Sequence, residues 1–305
     1  MRMLPSTKWA GLGLAAVLSM TGCAAGGSAS ASGSGAAGAP GVNTQAELYG
    51  SLPQAIKDKG EIVFAGDSHP PYRTIGKDGK TVTGIDPDIQ KALSEVLGVP
   101  TRIEVTDGLP QMLAGMKSGR YDAFNGPVKA TPDRLKEFDG VSWLSSRTSY
   151  LIPTSGGVGA QSTEDLCGTT AAGVKGSITE AQTAKLSEWC ASKGRQPVTF
   201  LGLADTNATI LAVKSQRAAS AATTQTGAID LMAQEQDKWR YVSQTDEQGA
   251  GVDQLVLLAP KSNSLGPVIE KAFEKIFANG RYKELVDQWH LSDVAVDKPV
   301  LNPST

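Results

Sequence analysis

The sequence predicts an α/β protein of two lobes. Three observations carry that expectation. Short apolar runs alternate with amphipathic helical segments from Glu61 to Tyr121, and the same alternation starts again near Gly168. Lys214-Ser215-Gln216-Arg217 echoes Lys117-Ser118-Gly119-Arg120, each standing just before a strand. Strands that alternate with helices make a sheet covered on both faces. Ligands of such sheets bind beyond the carboxyl ends of the strands.

In chain order, residues 61–65 are an apolar run ended by Gly66-Asp67, the first strand. Ser68-His69-Pro70-Pro71-Tyr72 follows as a loop stiffened by two prolines. Lys77-Asp78-Gly79-Lys80 is a hairpin turn. Asp86 and Pro87 open a helix with Ile89, Ala92, Leu93, Val96 and Leu97 on one face, stopped by Gly98. Residues 102–105 form a second strand. Leu109, Met112, Leu113 and Met116 then mark a second helix that ends at Gly119. In the second unit, residues 168–175 are a strand and Gly176-Ser177-Ile178-Thr179 lead a helix towards Trp189. Residues 197–201 and 218–222 are strands around a helix over 206–214, and Thr223-Thr224-Gln225 close the last strand with polar side chains. Residues 251–258 read as a long strand. An amphipathic helix over 264–278 stops at Asn279-Gly280, another runs from Arg281 to Trp289, and 298–305 form a polar tail.

The stretch from Tyr121 to Arg134 carries the chemistry. Tyr121-Asp122-Ala123-Phe124 begin a strand, Asn125-Gly126-Pro127 break it, and Thr131-Pro132 re-enter a helix. Thr131 suits the N-cap and Pro132 the first helical position, which makes Arg134 the third. A first turn ordinarily favours acids, because the helix dipole leaves partial positive charge there. Arg134 adds a full positive charge, with Lys129 close by. Free amides and a guanidinium after a strand make a place for an anion. The alternative is a guanidinium turned to solvent, or paired with Asp133 or Glu137. Both readings stand on the pattern alone.

Composition narrows the classes. A chain of 305 residues, 40% hydrophobic with net charge −2, fits one two-lobed protein or two ordinary domains. Near-neutral charge and the lack of a basic block argue against nucleic acid as a partner. His69 and His290 are far apart and the three cysteines differ in character, so neither a metal cluster nor a cofactor is expected. Residues 1–22 read as a targeting segment: Arg2 and Lys8 precede a short apolar run over 9–20. Its end, Met20-Thr21-Gly22-Cys23, is similar to the bacterial lipobox, which makes Cys23 the expected lipidation site and the membrane a partner through a lipid anchor. Residues 24–41, mostly Ala, Gly and Ser, read as a flexible tether, drawn over 23–51. The protein is therefore expected outside the cytoplasm, anchored to the outer face of the cell membrane. Cys167 and Cys190 remain, in an oxidising compartment, and are expected to be bonded. Closing that loop of 23 residues stabilises a fold by roughly 3 kcal/mol in the chain-entropy picture.

With these residues in view, the chain resembles the bacterial extracellular solute-binding proteins of family 3, the polar amino-acid class that serves ABC importers. The resemblance runs from about Leu52 to Asn302. Its carriers are Gly66-Asp67 with Pro70-Pro71-Tyr72, then Gly84-Ile85-Asp86-Pro87-Asp88-Ile89 and Gly119-Arg120-Tyr121-Asp122-Ala123. They continue with Thr131-Pro132-Asp133-Arg134, Asp165-Leu166-Cys167-Gly168, Lys175-Gly176-Ser177, and Asn279 to Glu284 through Trp289. The resemblance implies the type II periplasmic-binding-protein-like fold, two α/β lobes joined by two crossing strands that close as a hinge. Lobe 1 would hold 52–146 and 249–305, and lobe 2 147–248. The implied partners are a small-molecule ligand and the transmembrane subunits of an ABC permease, with the chain itself a monomer.

Carried over residue by residue, Arg134 falls on the arginine that grips the ligand α-carboxylate, a bidentate pairing suited to a planar anion. Gly126, Pro127 and Lys129 stand in the loop before it. Ser177 and Ile178 fall where the second lobe offers amides to the same carboxylate. Asp67 falls on a site position that in some relatives meets a polar or cationic ligand group, and His69 and Tyr72 on positions that pack against ligand. The sequence departs from the pattern at Thr224, followed by Gln225, where an acid usually meets the α-ammonium. Leaving a desolvated ammonium without its carboxylate costs a few kcal/mol. Hence the expected ligand is either an amine held by neutral oxygens and Asp67, or a molecule with more negative charge than positive. The competing readings are a dehydratase-like enzyme on the same scaffold, with Asp67 and His69 as its acid-base pair, and a ligand sensor. Catalysis needs a fuller constellation than that pair.

Overall fold

Strand β1 (Ile62–Gly66) is buried along its whole length, and its alternation sets the layers. Ile62 and Phe64 face one core while Val63 and Ala65 face another, the period-two partition of a strand covered on both sides. The computed structural model describes residues 41–106, 108–204 and 206–304. The targeting segment and Cys23 lie outside the described residues. Of the stretch drawn as tether, residues 41–51 lie against the fold: the Asn43 and Leu48 amides donate to the Gly98 and Val96 carbonyls, and Leu48 joins the core. The chain is thus engaged before α1 (Gln54–Lys59) begins.

After β1 comes the expected hairpin, β2 (Thr74–Ile75) and β3 (Val82–Thr83), which turns where the Asp78 carboxylate takes the Lys80 and Thr81 amides. Helix α2 (Ile85–Leu97) buries Ile85, Ile89, Leu93 and Leu97 and stops at left-handed Gly98. Strand β4 (Thr101–Val105), helix α3 (Gly108–Lys117), strand β5 (Ala123–Phe124), helix α4 (Pro132–Glu137) and strand β6 (Phe138–Ser146) follow. Strand β5 is two residues long rather than four, because the Asp122 carboxylate takes the Val63 amide at 2.7 Å in place of a ladder carbonyl. The chain then crosses at Arg147 into β7 (Thr148–Pro153).

The second unit runs β8 (Thr170–Val174), α5 (Ile178–Ser192), β9 (Thr199–Leu203), α6 (Thr206–Lys214), β10 (Ser220–Thr224), α7 (Gln225–Gln234) and β11 (Trp239–Ser243). It forms a sheet of order β11-β7-β10-β8-β9. Cys167 and Cys190 are bonded, tying the start of this sheet to α5. The chain returns through 244–252 to β12 (Asp253–Pro260), which closes the first sheet in the order β4-β1-β5-β12-β6. Helices α8 (Gly266–Ala278) and α9 (Arg281–Gln288) cover the Ile62/Phe64 face with α2, and α3 covers the Val63/Ala65 face.

The polar tail does not hang free. Strand β6 is an edge, and residues 295–302 lie along it. The Ser142 amide donates to the Val300 carbonyl at 2.9 Å, and the Gly140 amide to Asn302 Oδ1 at 3.0 Å. An uncovered strand edge is a template for unwanted pairing, and the tail occupies it.

Candidate functional site

Strands β4 and β5 both run parallel to β1, so the loops after β1 and β5 leave the sheet at one edge. His69 and Arg73 exchange backbone hydrogen bonds at 2.7 and 3.0 Å, closing the loop between them, and the Pro70–Pro71 peptide is cis. This turn leaves His69 exposed and sends Tyr72 inward, where its ring meets Trp143 and His69 edge-on.

Arg73, which sequence reasoning did not single out, is the centre of the loops after β1 and β5. Its side chain is 1% exposed. Nε donates to the Asp67 carbonyl and Nη2 to Asp67 Oδ1, both at 2.9 Å. Nη1 donates to Asp86 Oδ2 and to the Asn125 carbonyl. The Phe124 ring lies 5.2 Å from the guanidinium carbon. Gly126 is needed here: a Cβ on it would stand 2.8 Å from Arg73 Nη1, and its φ of +151° is one that side chains avoid. Burial pushes the Asp86 carboxyl up to about 7 against the pull of Arg73, and Asp86 Oδ1 has no partner among the described residues. The only sequence signal for this cluster is a lone arginine beside Tyr72.

Arg134 stands at the third position of α4, as its capping residues predict: Thr131 Oγ1 accepts the Arg134 amide at 3.3 Å. Its guanidinium donates to the Lys129 carbonyl at 2.7 Å and is half-buried, which draws its pKa down while leaving it protonated. It makes no ion pair among the described residues, so neither Asp133 nor Glu137 takes it: Asp133 is with Lys136 and Glu137 with Lys117. Lys129 does have a carboxylate, on Asp253 at the start of β12. Pro127 is partly buried in the loop between.

On the second sheet, Ser177 caps α5 by position only. Its hydroxyl donates to the Val174 carbonyl at 2.7 Å and lies 2.8 Å from Thr179 Oγ1. Helix geometry leaves the Ile178 and Thr179 amides without intrahelical acceptors, and the Ile178 side chain is 46% exposed. Thr224 caps α7, its hydroxyl accepting the Gly227 amide at 3.1 Å, while the Gln225 amide donates to the Arg147 carbonyl at 2.9 Å. Thr224 Oγ1 also meets Thr226 Oγ1 at 3.0 Å, and Thr226 accepts the Tyr72 hydroxyl at 3.0 Å. Burial raises the Tyr72 phenol above its ordinary value, so it stays a donor. The structure therefore joins Tyr72 to Thr226 and Thr224 across the two sheets, and gathers Asp67 and Gly126 around Arg73. Among the described residues no hydrogen bond links Ser177 or Ile178 to Arg134. No group of three or more His, Cys, Asp or Glu side chains among them could hold a metal ion.

A model of the family described as bacterial extracellular solute-binding proteins, family 3, matches residues 62–292. The arginine-binding protein ArgT of Corynebacterium glutamicum is 23% identical over 84% of this chain and 83% of its own length. The crystal structure of the probable amino-acid ABC transporter extracellular-binding protein ytmK from Bacillus subtilis is 20% identical and superposes with a TM-score of 0.63, over 76% of this chain and 98% of that one. The ancestral amino-acid-binding protein AncCDT-1, described as a precursor of cyclohexadienyl dehydratase, is also 20% identical, with a TM-score of 0.58 over 77% and 97% of the two chains.

Proposed function

We infer from its family, since the chain belongs to the bacterial extracellular solute-binding proteins of family 3, that it captures a polar amino acid or related small carboxylate for an ABC importer. The observation that carries the reading is Arg134, a half-buried guanidinium bonded to one carbonyl and to no carboxylate among the described residues. A fork of donors left open in this way suits a planar carboxylate. The first-turn amides of α5 are the natural second grip, brought down as the lobes, 52–146 with 249–305 and 147–248, close on the hinge. The relative named for arginine supports an amino acid as the cargo class. Transport is favoured over chemistry because Asp67, the carboxylate of the Asp67–His69 pair, already accepts Arg73. Delivery to permease subunits and attachment to the outer face of the cell membrane through Cys23 complete the proposal. Incorporation of a labelled fatty acid that disappears in Cys23→Ala checks the anchor.

Arg134→Ala is expected to weaken ligand binding by at least about 100-fold, the scale of a truncated charge-assisted pair. The melting temperature of the empty protein should fall by no more than about 3 °C, since only the bond to the Lys129 carbonyl is lost. Calorimetric titration and a thermal scan read both quantities. Unaltered affinity in the variant would remove Arg134 as the anchor.

A further inference from the structure

Three carboxylates among the described residues near the loops after β1 and β5 each face a cation of the same chain. Asp253 holds Lys129. Asp86, fully buried, takes Arg73 Nη1. Asp67 takes Arg73 Nη2, and the Asp67 carbonyl takes Nε, so its loop is gripped twice by one guanidinium. Across from them, α7 opens with Thr224 and Thr226, whose hydroxyls are committed to each other and to Tyr72. Arg134, on the first turn of α4, faces no carboxylate among the described residues.

We propose that Arg73 is a specificity-determining residue: it neutralises Asp67 from inside the fold, so that the site takes ligands of net negative charge, acidic amino acids or dicarboxylates, and rejects those with a cationic side chain. This rests on the preceding reading, that a ligand carboxylate meets Arg134. Arg73 cannot be lent to a ligand or pushed aside by one. It is held by Asp67, Asp86 and the Asn125 carbonyl, lies against the Phe124 ring, and has Gly126 closed down upon it. A cationic ligand group reaching for Asp67 must therefore compete with a preorganised intramolecular guanidinium. An anionic group meets no unpaired carboxylate among these three.

The test titrates the purified protein with glutamate, aspartate, succinate, glutamine, arginine and lysine. The wild type is expected to bind at least one of the three acids, with arginine and lysine at least about 100-fold weaker. Asp67→Asn should tighten the acid several-fold, since it removes a negative charge from the site's edge without taking a ligand partner away. The double substitution Arg73→Ala/Asp86→Asn removes the internal cation together with its buried partner and leaves Asp67 free. It should gain at least about tenfold in arginine affinity. Should the double variant fail to fold by circular dichroism, the Asp67→Asn arm decides, because Asp67 is 31% exposed and its substitution leaves the core intact. Arginine binding as tight as any acid in the wild type overturns the proposal, as does unchanged or weakened acid binding in Asp67→Asn. Binding of glutamine alone overturns it while the transport reading stands. If none of the six binds, this inference is overturned, and the transport reading is decided separately by titrating the remaining amino acids.

Discussion

Around Arg73 two carboxylates share one guanidinium, and the penalty for the surplus negative charge falls on the member least able to reach water, which therefore holds a proton more readily. Asp86 is wholly buried, whereas Asp67 is 31% exposed. Burial is the larger cause and Asp67 a smaller one for lifting the Asp86 carboxyl to about 7, with Arg73 pulling the other way. A raised native pKa means that the folded state holds the proton more tightly than the unfolded chain does. The stability this confers is therefore full below the unfolded Asp value of about 4 and is lost as pH rises through about 7, staying level above it. We expect the unfolding free energy of the wild type, relative to Asp86→Asn, to fall between about pH 4 and about pH 7 in urea titrations. A constant difference over that interval would show that Asp86 does not titrate there. Arg134 was legible as a residue because its cap, Thr131, is three positions away. Arg73 was not, because Asp86 and Asn125 are 13 and 52 positions from it.

Among elements, those announced by period and punctuation form where the sequence places them. Helix α2 begins at the Ile85-Asp86-Pro87 turn and ends at Gly98, and α4 begins at Pro132 behind Thr131. Strand β9 is shifted by two residues from the apolar run at 197–201, since its register is set by pairing with β8 rather than by its own pattern. Strands β6, β7 and β11 and helix α7 carry mixed polar sequences without a clean period, and pairing or docking decides them. The tail is the clearest case: polar by composition, yet laid along β6 through Val300 and Asn302. Ending the chain at Asp297 is expected to cost on the order of 2 kcal/mol by removing that short ladder. It would also leave the β6 edge open to self-association. Equal urea midpoints and equal sedimentation for the full and shortened chains would sink this expectation.

For the whole molecule, the contact that matters is the one made across the two sheets. Tyr72 hangs from the first sheet and Thr226 from α7 of the second, and Ile229 of α7 packs against the first sheet's core. A hydroxyl pair in a buried setting contributes about 1 kcal/mol, enough to bias a two-state hinge without locking it. Tyr72→Phe keeps the ring against Trp143 and removes only that bond. The empty variant is expected to show a larger radius of gyration by small-angle scattering and about fivefold weaker ligand binding, since closure then starts from a more open population. Identical scattering curves and identical affinities for variant and wild type would rule the latch out.

The alternation of strands and helices, the capped helix that carries Arg134 and the pairing of Cys167 with Cys190 were settled by the sequence alone. Each depends on residues a few positions apart, or on there being one plausible partner. Which charges cancel was decided only by the tertiary structure. Lys129 finds Asp253, Arg73 finds Asp67 and Asp86, and Thr226 finds Tyr72, because the sheets bring together segments between 6 and 154 positions apart. A guanidinium or carboxylate acts through the field of its neighbours in space, and chain order specifies those neighbours only once the strands have paired.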